Sequence, residues 1–341
     1  MAKTSTPTYK EIEEAIMNSP ALEDLVDDRD YQYEEIMGAV ETPREFSLRD
    51  KCSPVKNQFK RGTCVGFDCT GIPEFFNRAE LNDPDLDLSE EYLFRRIKEF
   101  DLADYKYDGY GAYLRSGAKA LKKWGTCLEE TAPYNKDGGE DAWKTFEPTE
   151  EMDEEAARYK IASYLRVANR VELIKQSIIT SQAPLSAGFT FWASYRDARK
   201  DGIVPMPDTV NEKRIGGHAM EIVGWKYIND ELYFELKNSW STSWGDDGYL
   251  WWPAKYIAGV HSVWSFVDLL TNPNVINNKK IEENKKLVSG YAIGAWEKAI
   301  KAGIVSASSM PKDKITKEDY FVFKDRAGEL DAIIERNNQD K

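Results

Sequence analysis

Hydrophobic and polar positions change rhythm three times along the chain. Up to about residue 43 the text is acidic and loosely amphipathic, "YKEIEEAIMNSPALEDLVDDRDYQYEEIMGAV". It predicts a helix near Tyr9 to Met17, a break at Pro20, and an appendage more than a core. From Phe46 to about Leu270 aromatics and glycines are dense, and this stretch reads as the folded body. Its first half carries helical periodicity: the run after Cys64, "LSEEYLFRRIKEF" with Ser89 as N-cap, and "LRSGAKALKKWG" closed by Gly125. Its second half alternates like strands in "APLSAGFTF", "HAMEIVGWKY", "ELYFELKNSW" and "GYLWWP", with "IND" as a hairpin turn. Helices followed by strands predict an α+β body in two lobes. Residues 271–285 then read as a polar linker. Residues 286–341 read as two amphipathic helices, the second capped by Thr316 and too short a pair to be a stable fold alone.

Composition narrows the function. The 341 residues are 41% hydrophobic and carry a formal net charge of −13. An acidic chain lacks the basic field that displaces counterions from nucleic acid, so nucleic acid is not an expected partner. The first twenty residues contain no apolar signal core, and no run approaches the roughly 18–20 apolar residues of a membrane span. The expectation is a soluble product, cytoplasmic on synthesis and with no membrane partner, its later release to a virion or a cell surface being left open.

Four cysteines, Cys52, Cys64, Cys69 and Cys127, are too sparse for a disulfide scaffold, and only His218 and His261 could join them around a metal. No metal and no cofactor is expected. Cys64 and Cys69, five apart, do not share a helix face. Cys69 and Cys127 read as buried small hydrophobes.

Thiol catalysis needs a thiolate, a base, a group that orients the base, and donors for an oxyanion. Cys64 would open a helix, where the dipole favours a thiolate. His218 follows Gly216-Gly217 and begins a strand. Asn238 ends the next strand, so a hairpin brings it beside His218, where its amide can hold the imidazole.

"SPVKNQFKRGTC", "GGHAMEIVGW" and "KNSWSTSWGDDGYLWWP", in this order, resemble the papain family of cysteine proteases. The resemblance extends over "LSEEYLF" and "AKALKKWGTCLEETAPYN", roughly Phe46 to Leu270. It implies a papain-like fold, a helical lobe and a β-barrel-like lobe with the active-site cleft between them, and division of the chain into 1–43, 44–270, 271–285 and 286–341. It further implies Cys64 as nucleophile, His218 as general base and then acid, Asn238 as orienting group, and Gln58 with the Cys64 N–H as oxyanion hole. Trp240 and Trp244 match tryptophans that shield the Asn-His contact, and Trp240 is also a substrate-binding candidate. A substrate-binding glycine pair falls in "DGYGAY", where Gly109 or Gly111 could serve. Gly217 brings backbone close beside His218. Gly188 and Ala219 fall where the family lines the pocket for the second residue before the cut; both are small, which predicts a roomy pocket for a bulky apolar or aromatic side chain. Glu221 shares the parity of Ala219 and would lend that pocket acidity, or would pair across strands with Lys237.

The implied activity is a cysteine endopeptidase acting on protein or peptide substrates through an acyl-enzyme; a transpeptidase or ligase on the same site is the alternative. Arg61 and Val65 replace a disulfide cysteine and a tryptophan of the usual motif, and "LRDKCSPVKNQ" resembles bacterial and phage members more than plant or lysosomal ones. Lys60 and Arg61 would bias the thiolate or face water. The first 43 residues could lie over the cleft as an inhibitory propeptide, making the product a zymogen. The C-terminal text, "AWEKAIKAGIVSASSMPKDKITKEDYFVFKDRAGEL", is similar to a single S-layer-homology repeat, which implies bacterial cell-wall polysaccharide as partner through Trp296, Thr316, Lys317, Glu318 and Arg326. A non-catalytic cell-wall-binding surface protein that uses this segment is a further alternative for the whole chain, and a helical hairpin for packing or self-association is the reading against wall binding. "NDPDLDLSEE" lacks the glycine and glutamate of a calcium loop and reads as a solvated helix cap. His261 reads as a structural histidine. Trp251 and Trp252 point to opposite faces of a strand; one could touch substrate, but both read more simply as core and rim of a barrel-like lobe.

Overall fold

The structure, a computed structural model, describes residues 8–18, 20–27, 30–33 and 41–268. The linker at 271–285 and the C-terminal segment at 286–341, with its wall-binding candidates, lie outside the described residues.

The N-terminal segment forms helix α1 (Tyr9–Asn18), ends it before Pro20, and continues as a two-residue strand β1 (Ala21–Leu22). The body begins with strand β2 (Phe46–Ser47) and then helix α2 (Cys64–Glu80). Cys64, Val65, Cys69 and Ile72 of α2 are all buried in one cluster, and Gly66 and Gly71 on other faces meet Phe94 and Glu221, so the helix is enclosed nearly all round. Helix α3 (Glu90–Phe100) starts where Ser89 Oγ accepts from the Tyr92 N–H at 3.1 Å, the cap its sequence predicts. A short strand β3 (Ala112–Tyr113) leads into α4 (Leu114–Lys123), which stops one residue before Gly125 at φ 79°, a conformation glycine adopts without strain. These helices share a cluster of Leu93, Phe94, Ile97, Leu114, Ala118 and Leu121.

After two short helices, α5 (Ala142–Thr145) and α6 (Glu150–Ala156), comes strand β4 (Ile161–Val167), whose side chains alternate between buried and half-buried. Helix α7 (Val171–Ser181) follows, then β5 (Leu185–Trp192), β6 (Arg214–Ile228), β7 (Glu231–Lys237), β8 (Tyr249–Pro253) and β9 (Val260–Asp268). They form a seven-stranded sheet in the order β4-β9-β5-β6-β7-β8, with β2 added on β6, and every pairing is antiparallel. The β6–β7 hairpin turns at Asn229 and Asp230, both with positive φ (50° and 63°), as two-residue hairpin loops require. An aromatic core of Phe189, Phe191, Trp225, Trp240, Trp244 and Trp252 fills this lobe. Trp251 and Trp252 are both buried, Trp251 beneath the Lys226 ammonium and Trp252 against Phe189, in keeping with their reading as core and rim of this lobe and not with one of them touching substrate.

Two features depart from the sequence reading. β4 and α7 are elements that the sequence reading does not name. The N-terminal segment is not an appendage: Ile16, Ala21, Asp24 and Tyr33 are all under 5% exposed. The Tyr33 hydroxyl hydrogen-bonds Thr180 of α7 at 3.0 Å, and burial of side chains this large contributes about 1.5–3 kcal/mol each.

Candidate active site

The cleft lies where the N-terminus of α2 meets β6. Cys64 is the first residue of α2; Thr63 before it provides no side-chain cap, its hydroxyl being engaged with Tyr134 at 2.7 Å. The uncapped helix start leaves backbone N–H groups directed at the Cys64 end. The turn before it is held from beneath. Lys56 Nζ reaches Glu74 of α2 and Glu90 of α3, both at 2.7 Å. Gln58 is 2% exposed; its N–H donates to the Ser239 carbonyl at 2.9 Å, its Nε2 to the Arg61 carbonyl at 2.9 Å, and its Oε1 accepts from Ser239 Oγ at 2.5 Å. A fixed amide with one remaining N–H is what an oxyanion donor requires. Arg61 neither faces water nor reaches the thiol: it is 1% exposed and forks onto Glu91, with Nη2 3.1 Å from Oε1. Its disulfide-replacing role is therefore structural, while Lys60 is exposed.

On the other wall, the hairpin brings His218 of β6 and Asn238, the residue after β7, together. His218 Nε2 and Asn238 Oδ1 are 2.8 Å apart. Asn238 Oδ1 also accepts the Ser239 N–H at 2.8 Å, which marks it as the acceptor and His218 Nε2 as the protonated nitrogen. Nδ1 is buried and makes no hydrogen bond, so it is the nitrogen able to take a proton. Trp240 stacks on the imidazole at 4.4 Å and 20°, and Trp244 meets Trp240 edge-on at 5.0 Å. At 1% exposure, Trp240 shields the Asn-His contact instead of forming an open substrate surface.

Burial governs the electrostatics. It pushes the Cys64 thiol up to about 12, with Asp68 one helical turn away adding to the rise. It pushes the His218 imidazole down to about 4, against the hydrogen bond to Asn238 that favours the charged form. In this closed state both groups are neutral.

What closes the site is the N-terminal segment. β1 pairs in parallel with β3, Ala21 opposite Ala112, and the Ala112 N–H donates to the Pro20 carbonyl at 3.3 Å. Of the two candidate glycines, Gly111 faces this strand: a Cβ there would come within 2.0 Å of the Pro20 carbonyl oxygen. Gly109 packs on Tyr107, and the residue that offers its backbone is Ala112, which sequence reading missed because it is not a glycine. Gly217 meets the Ala21 carbonyl oxygen in the same way, at 2.1 Å from an added Cβ. Ala219 is buried against α2, in one cluster with Cys64 and Ala21.

The pocket expectation requires correction. Gly188 does not open a roomy cavity, because the ring of His261 fills the space: a Cβ on Gly188 would lie 2.1 Å from His261 Cε1. Glu221 lends no acidity there. It points into α2 beside Gly71 and pairs with Lys237 Nζ at 2.8 Å, the cross-strand partner at the same register. Cys69 and Cys127 are fully buried, as expected of filler. Among the described residues no cluster of His, Cys, Asp and Glu could hold a metal ion, and no helix is long and apolar enough to cross a membrane.

Comparison with known proteins accords with this geometry. The model of the papain family cysteine protease matches residues 42–262. An uncharacterised peptidase C1-like protein of Acanthamoeba polyphaga mimivirus is 35% identical over 181 residues, 49% of this chain and 55% of that protein. Peptidase 1 of Psoroptes ovis is 30% identical over 218 residues, 62% of this chain and 61% of that one. The chain thus spans about half to three-fifths of the length of these curated relatives. Xylellain, a cysteine protease from Xylella fastidiosa, superposes with a TM-score of 0.63 at 24% identity, over 75% of this chain and 98% of that one. Digestive procathepsin L2 of Tenebrio molitor gives 0.57 at 22%, over 77% and 81%. The two-lobed α+β architecture is therefore papain-like, and the chain belongs to the papain family of cysteine proteases.

Proposed function

We propose that this chain is a cysteine endopeptidase held latent by its own N-terminal segment. The observation that carries the reading is the pair of His218 and Asn238: Nε2 is locked on the amide, Nδ1 is left without a partner, and the next residue, Ala219, shares a buried cluster with Cys64. In the closed state, desolvation disfavours the thiolate and the imidazolium alike, so proton transfer from Cys64 to His218 is suppressed. Withdrawal of residues 16–24 admits water and substrate. The Cys64 proton then passes to His218 Nδ1, and the thiolate attacks the carbonyl carbon. The oxyanion is received by the Cys64 N–H and the remaining Gln58 Nε2 hydrogen. His218 gives its proton to the departing amine, and water, deprotonated by His218, releases the acyl-enzyme. Residues 1–43 serve as propeptide and 44–270 as catalytic domain.

The test is incubation of the full chain with its Cys64→Ala form under reducing conditions. A new N-terminus between residues 33 and 46, produced by the wild type and never by the variant alone, is the expected product. If the wild type cuts neither this partner nor any peptide of a mixed library, the reading fails. Peptides joined to an added amine would replace hydrolysis by transpeptidation.

A further inference from the structure

Asp24 of the N-terminal segment is buried in the cleft beyond Ala112, at 4% exposure. Its carboxylate accepts from the indole Nε1 of Trp264 at 2.7 Å and from the Arg115 backbone N–H at 3.1 and 3.2 Å, and its own N–H donates to Ser262 Oγ at 2.7 Å. Arg115 stands in the first turn of α4, where an unpaired N–H and the helix dipole favour an anion. Its guanidinium takes two further acids from the same segment. Nε is 2.7 and 3.0 Å from the Asp30 oxygens, and Nη2 is 2.6 Å from Asp30 and 2.8 Å from Asp27.

Apart from the Asp24 N–H, which donates to Ser262, the donors belong to the catalytic body, Trp264 on β9 and Arg115 on α4, and the carboxylates that accept from them belong to the segment that must leave. Holding the segment alone would not require them, since apolar contacts fasten a strap without the cost of burying carboxylates. The Trp264 indole is packed edge-on against Tyr164 of β4, and Trp264 is fully buried, so the body itself holds this donor. The place is also near the thiol: Trp264 lies in one buried cluster with Cys64 and Ala21.

We infer that this half of the cleft is a subsite for acidic side chains on the acyl side of the bond to be cut, in which Trp264 Nε1 and the Arg115 N–H receive one aspartate or glutamate and the Arg115 guanidinium receives a second. The segment's Asp24 and Asp30 occupy it in the closed state as stand-ins for an acidic peptide substrate. The inference rests on the peptidase reading and deepens it by naming the substrate class. A leucine in the place of Asp24 leaves the indole and helix N–H groups unpaired, one in the place of Asp30 takes a counter-charge from the guanidinium, and sites built to hydrogen-bond discriminate strongly against such analogues.

The experiment uses fluorogenic peptides with Asp, Glu, Leu or Arg at the second and third positions before the cut, offered to the full chain and to its Asp24→Ala form, in which the segment is less firmly held. Asp or Glu is expected to raise kcat/KM at least about tenfold over Leu, and Trp264→Phe and Arg115→Gln are each expected to bring that ratio below about threefold. Leu or Arg peptides cut as fast as acidic ones would overturn the subsite and leave its donors as a clasp for the segment alone. If no peptide is cut, the peptidase reading has failed, and binding decides the subsite separately. Labelled Asp and Leu peptides are then titrated by anisotropy into the full chain carrying Cys64→Ala and Asp24→Ala. Preference for Asp upholds the subsite; equal binding, or none, overturns it.

Discussion

The two halves of the closed cleft treat charge in opposite ways. Around Cys64 and His218, burial removes it: the thiol is pushed up, the imidazole down, and a stacked tryptophan keeps water from the Asn238 contact. Around Arg115, burial preserves it, because a guanidinium and two carboxylates enter together with their hydrogen bonds made. The same desolvation silences one half and fastens the other, and the difference is whether a partner of opposite sign is buried too. Asp24 is intermediate. It has donors but no cation in direct contact, and burial lifts its carboxyl to about 6 despite the Trp264 and Arg115 hydrogen bonds.

The sharpest break of this contrast is at the silent half. Cys64→Ala is expected to lower peptide hydrolysis by about 10⁴-fold or more while leaving the segment docked, read by activity and by hydrogen exchange over residues 15–33. At the fastened half, Asp30→Ala leaves Arg115 with Asp27 as its remaining counter-charge. Docking is expected to weaken by about 3 kcal/mol, seen as faster exchange over residues 15–33 and faster alkylation of Cys64 by iodoacetamide. Unchanged alkylation would mean that the clasp does not control the thiol. Trp240→Ala exposes the Asn-His hydrogen bond to water and is expected to cut kcat by about tenfold to a hundredfold with little change in KM.

The smallest effect concerns pH. A docked Asp24 titrating at about 6, against 3.8 when free, binds its proton more tightly in the closed state. Its contribution to docking is therefore full below about pH 4 and is lost as the pH rises through about 6. Hydrogen exchange of the segment should slow on going from pH 7 to pH 5 relative to Asp24→Asn, after correction for intrinsic rates. The comparison with Asp24→Asn is needed because His218 and His261, both lowered to about 4 by burial, act in the other direction as the pH falls below 6.5.

His261 shows how far sequence reasoning reached. It stood in "GVHSVW" without a partner motif and read as structural. Only the β5–β9 register, Gly188 opposite His261, shows it filling the pocket that two small residues had seemed to leave open. Ala112 was passed over for similar reasons, since attention fell on the glycines beside it. Asp24, Asp27 and Asp30 were visible as an acidic run, yet their spacing carries no hint that an arginine eighty-five residues after Asp30 receives two of them.

The sequence by itself determined the helix starts at Ser89 and Cys64, the hairpin that puts Asn238 beside His218, and the order Gln58, Cys64, His218, Asn238. Those features depend on local periodicity, capping and turn chemistry, or on motifs whose spacing is self-contained. Tertiary structure alone decided that the acidic N-terminus is a buried clasp, that His261 closes the pocket, and that Arg61 serves Glu91 instead of the thiol. Each of these depends on which distant side chain shares a dehydrated space, and desolvation is a property of the packed assembly, written in no single stretch of chain.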